Sequence, residues 1–288
     1  MRGVAGHHHH HIDWAQRLTQ LRMADALDAE ALRPVAQGLV GGLTADEPVV
    51  VDVGCGAGGM SVLLARALAE RGGGTVVLVD STLELLAEAE RAVAAESGVK
   101  VEAIHADFGD APLPAADLVW ASGVVHHVAD QQAALNTLAA TLNSDGTLAI
   151  VEGGLRISCL PWDLGVGRPG LEDRLHTVRA EWYAAMRASI PGAVDMPYGW
   201  PVALRRAGLG DVTSAGVLID HPMPGSDLLR DYVVHRIGSL AESGADWLAD
   251  EDRAAVAALL DPDGPDFLGA RDDLYLLGVK TVHSGRKS

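Results

Sequence analysis

A chain of 288 residues, 48% of them apolar, suits one elaborated α/β domain with helical insertions and has ample material for a core. Its 39 acidic and 22 basic side chains give a net charge of −17, which repels phosphate backbones and anionic lipid and makes nucleic acid and membranes poor partners. No apolar run reaches the roughly 18–20 residues of a membrane span, no segment reads as a signal peptide, and the two cysteines, Cys55 and Cys159, give no framework for disulfides or zinc and point to a reducing cytoplasm.

Residues 1–12 carry five histidines in a row, at 7–11, and read as a purification tag, with a natural metal-binding tract as the alternative. Residues 13–47 read as an N-terminal helical cap. Its first helix spans 13–33, with Asp13 as N-cap and Trp14, Leu18 and Leu21 at helical spacing. Pro34 opens a second helix to about residue 40. Then comes the stretch around which the chain is organised, VVVDVGCGAGG at 49–59. Its β-branched start reads as a buried parallel strand holding one acid, Asp52. Gly54, Gly56, Gly58 and Gly59 follow, and a helix begins. Strand, glycine turn and helix bring backbone close to a nucleotide and point helix N–H groups at it. Cys55 fills the turn as a small neutral residue. Gly54, Gly56 and Gly59 satisfy the dinucleotide fingerprint G-x-G-x-x-G, so the turn alone does not choose a cofactor.

A second strand, TVVLVD, ends at Asp80, placed to accept from both hydroxyls of a ribose. Ser81 is a candidate cap for the helix after it. KVEAIHADFGD supplies a third strand leading to Asp107 and Phe108. A fourth, over 117–121, runs into the pair His126–His127. A helix over 130–142, a turn at Asp145–Gly146 and a fifth strand ending near Glu152 complete the series. Five strands alternating with helices predict a parallel sheet wound on both faces.

Taken together these motifs resemble, over about residues 47–155, the class I S-adenosylmethionine-dependent methyltransferases of the bacterial small-molecule type. Asp52, Gly54, Gly56 and Gly58 look like the family's acid-x-G-x-G-x-G turn. Asp80 looks like the ribose acid, Asp107 with Phe108 like the pair that meets the adenine, and ASGVVHHVAD like the fourth motif. The resemblance implies a Rossmann-like, seven-stranded doubly wound sheet whose seventh strand inserts antiparallel between the fifth and sixth. It implies S-adenosylmethionine as cofactor, contacted by Asp52, Gly54, Cys55, Gly56, Gly58, Asp80, Ser81, Asp107, Phe108, Ala121 and Ser122. A dehydrogenase would explain Gly54, Gly56, Gly59 and Asp80 but neither the HADF segment nor the paired histidines. An NAD(P)-dependent oxidoreductase and a non-catalytic cofactor- or metal-binding regulator stay open as alternatives.

Residues 156–210 read as a helical substrate cap. A helix over 171–190 carries Leu175, Val178, Trp182 and Met186 on one face. Residues 211–288 supply the last two strands, at 211–220 and 273–284, with helices over 221–272 between them. Five of the twelve aromatic residues fall between 162 and 200. Because the segment follows the carboxyl end of a strand, Trp162, Tyr183 and Tyr198 are candidates for a substrate pocket. Trp182 and Trp200 fit core as well as pocket. Arg168, Arg174, Arg179 and Arg187 crowd the same region, and Arg179 is taken as a candidate for a polar or carboxylate-bearing acceptor. Methyl transfer to a hydroxyl or ammonium needs proton removal, for which His126 or His127 is suited; His126 is slightly preferred. The acids and histidines lack metal-ligand spacing. The expectation is a cytoplasmic, monomeric or homodimeric enzyme that methylates an O, N or C atom of a small molecule, in keeping with secondary metabolism.

Overall fold

The computed structural model describes residues 14–107 and 112–288, apart from the side chains of 14–16. Seven strands form one sheet: β1 (Val49–Val53), β2 (Thr75–Asp80), β3 (Lys100–His105), β4 (Ala116–Ser122), β5 (Leu142–Ser158), β6 (Gly210–His221) and β7 (Leu276–Arg286). Their order is β3-β2-β1-β4-β5-β7-β6. The first five run parallel, and β7 lies antiparallel to both β5 and β6. The implied insertion of the seventh strand is thus present. A dinucleotide-binding sheet runs 3-2-1-4-5-6 without that reversal, so the strand order departs from the dehydrogenase alternative.

The central strands form because both their faces can be buried. Val50, Val51, Val53 and Val76 to Val79 are all within 1% of full burial, as expected of a parallel sheet covered on both sides. One face packs on α1 (Trp14–Gly41), α2 (Gly59–Glu70) and α3 (Leu83–Ala94). The other packs on α4 (Gln131–Thr141) and α6 (Trp200–Arg206). A third apolar cluster joins α5 (Leu171–Ser189), α7 (Asp227–Ser243) and α8 (Asp250–Leu260) to Met23 and Leu27 of α1.

Several elements differ from the sequence expectation. The N-terminal pair of helices is a single helix with Pro34 inside it. An interior proline costs roughly 3 kcal/mol. Continuing the helix buries Leu32, Ala36 and Val40 against the sheet core, a gain of comparable size. Asp13, the expected cap, lies outside the described residues. β5 continues past Glu152 to Ser158 because β7 pairs with it there, Gly154 against Lys280 and Leu155 against Val279. α5 is buried only at its start, through Leu171, Glu172, Leu175 and His176; Val178, Trp182 and Met186 are partly exposed and do not form a core stripe. Thr82, not Ser81, occupies the N-cap position of α3, and its side chain makes no capping hydrogen bond.

Candidate active site

The glycine turn is fixed by hydrogen bonds that leave little choice of residue. The Gly54 and Cys55 amides both donate to Val79 O, at 2.8 and 3.1 Å. Gly54 has φ +65°, and a Cβ there would stand 2.3 Å from Val124 Cγ2. Gly56 has φ +56°, and a Cβ on it would meet no protein atom within 4 Å. It is glycine for its left-handed backbone, and it borders open space.

That space is a cleft of about 960 Å³ along the carboxyl ends of the strands, the place where open α/β sheets bind ligands. Following the strand order, its wall is made by Ala106 and Asp107 after β3, Asp80 and Ser81 at β2, Gly54 and Gly56 after β1, and Ser122, Gly123 and Val124 at β4. Leu85 adds an apolar side chain and Arg17 of α1 a cation. Asp80 is held stiffly: Oδ2 accepts from Gly56 N at 3.0 Å and Oδ1 from Thr82 N at 2.8 Å. Each oxygen keeps a lone pair for a further donor.

Gly54, Gly56, Asp80, Ser81, Asp107 and Ser122 of the expected cofactor residues line this cleft. Phe108 lies outside the described residues. Asp52, Cys55, Gly58 and Ala121 are not part of the wall. Asp52 is 2% exposed and accepts from the Ser61 hydroxyl. Burial, partly offset by Ser61 and reinforced by Asp25 and Asp80, pushes its carboxyl up to about 7. Burial raises the Cys55 thiol far above its ordinary value, so it stays neutral. Gly58 is needed for packing: a Cβ would come 2.9 Å from Ala89 Cα in α3. Gly59 makes room in the same way for Asp25 of α1, 2.2 Å away. Ala121 is buried in the sheet.

After β4 the chain makes a short 3-10 turn at Val125–His127. Glu152 of β5, 5% exposed, anchors it. Its Oε1 accepts from Val125 N at 2.9 Å and His126 N at 3.3 Å, and its Oε2 accepts from His126 Nδ1 at 2.8 Å. His126 is therefore tied back, while His127, its ring centroid 4.0 Å away, projects free of that clamp. His127 lines the cleft and also a second cavity of about 820 Å³. Burial, followed by the repulsion of His126, lowers its pKa below the ordinary 6.5. The ring is neutral at pH 7 and able to take a proton. His127, and not His126, borders both spaces.

The second cavity is walled by α1, β5, α5 and α7, and Tyr183 and Arg179 line it as the sequence suggested. Trp182 also lines it, under the Arg179 guanidinium at 5.3 Å. Trp162 and Tyr198 do not. Trp162 is 70% exposed. Tyr198 stacks under Arg206 at 3.9 Å and donates to Gln132 at 3.0 Å. Of the other arginines, Arg168 pairs with Glu251 and Arg174 with Asp252, and Arg187 binds the carbonyls of His126, Val128 and Ala129. Sequence reasoning did not find Glu152, Arg17, Arg156 or Arg236. These three arginines stand on three separate elements, α1, β5 and α7, which leaves no spacing to read. Among the described residues, no group of three or more His, Cys, Asp or Glu is placed to hold a metal ion. No helix there is long and apolar enough to cross a membrane.

Residues 50–146 match a family model described as a methyltransferase domain. Among solved structures, a Bacillus halodurans protein named as a candidate methyltransferase is similar at 13% identity and a TM-score of 0.50, over 90% of this chain and 98% of that one. The YcgJ protein of Bacillus subtilis is similar at 16% identity and TM-score 0.46, over 88% and 99%. A phosphoethanolamine N-methyltransferase of Haemonchus contortus, solved with S-adenosylhomocysteine, is similar at 17% and 0.46, over 88% of this chain and 52% of that one. At 13% identity the likeness to the Bacillus halodurans protein is one of fold. Residues 50–146 are thus similar to methyltransferase domains, and the seven-stranded sheet shares its fold with the Bacillus halodurans structure.

Proposed function

We propose that this protein is an S-adenosylmethionine-dependent methyltransferase acting on an O, N or C nucleophile of a small molecule. The observation that carries the reading is His127, whose ring borders both the glycine-turn cleft and the second cavity. A methyl donor in the first and an acceptor in the second would meet there.

The cleft suits the donor. Asp80 offers two fixed carboxylate oxygens to a ribose, Gly56 leaves backbone room beside it, and Asp107 stands further along the same wall for an exocyclic amine. When bound, S-adenosylmethionine supplies a methyl group on a sulfonium, a leaving group already activated. What remains for the protein is alignment, worth several kcal/mol of barrier, and removal of a proton from the acceptor. Neutral His127 accepts that proton. Glu152 holds the backbone of the turn that presents it. Arg187 braces the same turn from the far side by binding its carbonyls.

Calorimetric titration with S-adenosylmethionine, S-adenosylhomocysteine, NADH and NADPH tests the reading. Micromolar binding of the two adenosyl ligands, with no heat from the nicotinamides, is expected. Asp80→Asn turns an NH2 group toward either the Gly56 or the Thr82 amide and removes a charge-assisted acceptor, so it should weaken S-adenosylhomocysteine at least tenfold, about 1.4 kcal/mol. Unchanged affinity would refute the ribose assignment.

A further inference from the structure

The second cavity departs from the aromatic pocket that the sequence suggested. Four guanidiniums line it: Arg17 of α1, Arg156 of β5, Arg179 of α5 and Arg236 of α7. Against them stands one lining carboxylate, the exposed Glu242, with His127 and His176 as the remaining titratable imidazoles. The chain as a whole carries net charge −17, so this concentration of positive charge runs against the molecule's average.

The arginines are also short of partners. Arg168 and Arg174 nearby are paired with Glu251 and Asp252. None of the four lining arginines is ion-paired with a described residue. Arg179 donates to Ser243 Oγ at 3.2 Å. Arg236 donates from Nη2 to Ile157 O at 2.9 Å and lies beside the neutral Cys159 thiol. Its Nε is the one buried side-chain donor among the described residues that has no acceptor. Glu172, a buried acid beside Cys159, already accepts from the amides of Cys159 and Leu160 and lies beside His176. The positive charges of Arg236 and Arg17 both act on Arg179. Like charges are gathered here without the anion that would offset them. A guanidinium is a planar fork that matches carboxylate and phosphate oxygens, and it cannot relieve the repulsion by losing its proton.

We propose that the second cavity binds the methyl acceptor through an oxyanion group, a carboxylate or a phosphate, gripped by Arg179 and Arg236, with Arg17 and Arg156 adding field. The flat walls of Trp182 and Tyr183 suit an unsaturated or aromatic body on that anion. As an acceptor site the proposal rests on the methyl-transfer reading; as an oxyanion site it does not.

Phenyl phosphate, benzoate and benzyl alcohol are the probes, titrated at fixed ionic strength with and without S-adenosylhomocysteine. The anions should bind at least tenfold more tightly than the alcohol. Arg179→Gln and Arg236→Gln should each weaken the anions at least tenfold and leave the alcohol unmoved. Preference for phenyl phosphate assigns a phosphate, preference for benzoate a carboxylate, and either supports the proposal. Equal affinity for anion and alcohol overturns it. So does absence of anion binding at tens of millimolar, or wild-type anion affinity in Arg179→Gln. Arg179 is at an exposed position, so its variant keeps the test decisive if Arg236→Gln fails to fold. Arginine-dependent anion binding without any adenosyl binding would leave the oxyanion site standing and remove the methyl-transfer reading.

Discussion

Two adjacent histidines have opposite surroundings. His126 gives its Nδ1 proton to Glu152, and His127 borders both cavities with a lowered pKa. Because the neutral ring is the base, activity should be full above the lowered value and fall as pH drops through it. Replacing His127 with Ala should cut kcat about a hundredfold or more for a protic acceptor and remove that acid limb. A wild-type profile in His127→Ala would mean that alignment suffices. Glu152→Gln tests the brace behind the pair. One carboxylate oxygen accepts from two amides and the other from a ring nitrogen. A glutamine has a single acceptor oxygen, so one side of the bracket must meet an NH2 group instead. The turn should shift and kcat fall about tenfold, with S-adenosylhomocysteine affinity unchanged; an unaltered kcat would mean that Glu152 only fills space. The sequence marks the histidine pair but cannot say which ring faces the cleft. That depends on the phase of a three-residue 3-10 turn, set by a glutamate 26 residues further on.

The glycine turn is the element on which cleft and sheet both depend. Gly54→Ala would need a left-handed alanine and a Cβ 2.3 Å from Val124 Cγ2. The expected loss is roughly 2–3 kcal/mol of stability, read as a lower denaturant midpoint, together with weaker adenosyl binding. Gly56→Ala faces open space and should fold better than Gly54→Ala while still losing binding; equal stability losses would contradict this division of roles. Much of this element was legible, because a β-branched run followed by glycines admits few structures. The same motif overstated the number of contacts. Asp52, Gly58 and Gly59 fit a cofactor pattern, yet they serve Ser61, Ala89 and Asp25. Pattern matching sees identity at a spacing and does not see which side of the strand the residue faces. Pro34 misled in the opposite way. It reads as a helix start, whereas burial of Leu32, Ala36 and Val40 carries α1 through it. The aromatic segment was read for its rings, but Tyr198 is taken up by Arg206 and Gln132. The cavity's distinctive chemistry is a charge cluster assembled from α1, β5, α5 and α7.

Across the whole molecule, α1 ties the parts together. It packs on α2 with one stretch and on the α5–α7 cap with another, and its Asp28 pairs with Lys280 of β7. It also brings half-buried Asp25 beside the glycine turn, close enough to act on buried Asp52. Both carboxyls are raised from an ordinary 3.8, Asp25 to about 6 and Asp52 to about 7, burial being the larger cause in each. The folded state therefore holds these protons more tightly than the unfolded chain does. Their contribution to stability is complete below about pH 4 and is lost as pH rises through 6 to 7. His283, whose pKa burial lowers, acts in the other sense, losing stability as pH falls below 6.5. The raw stability curve mixes the two, and a difference between variants separates them. Asp52→Asn retains an acceptor for Ser61 and removes the titration. At pH 5 wild-type Asp52 is protonated in the fold but already largely ionised in the unfolded chain, so part of its contribution has gone by then. From pH 5 to pH 8 the variant should gain on the wild type by roughly 2–3 kcal/mol. Parallel denaturant melts at pH 5, 6.5 and 8 measure that gain. A difference that stays constant with pH would show that Asp52 is ionised at little cost in the fold, and that the ring of acids around the glycine turn is better solvated than its burial implies.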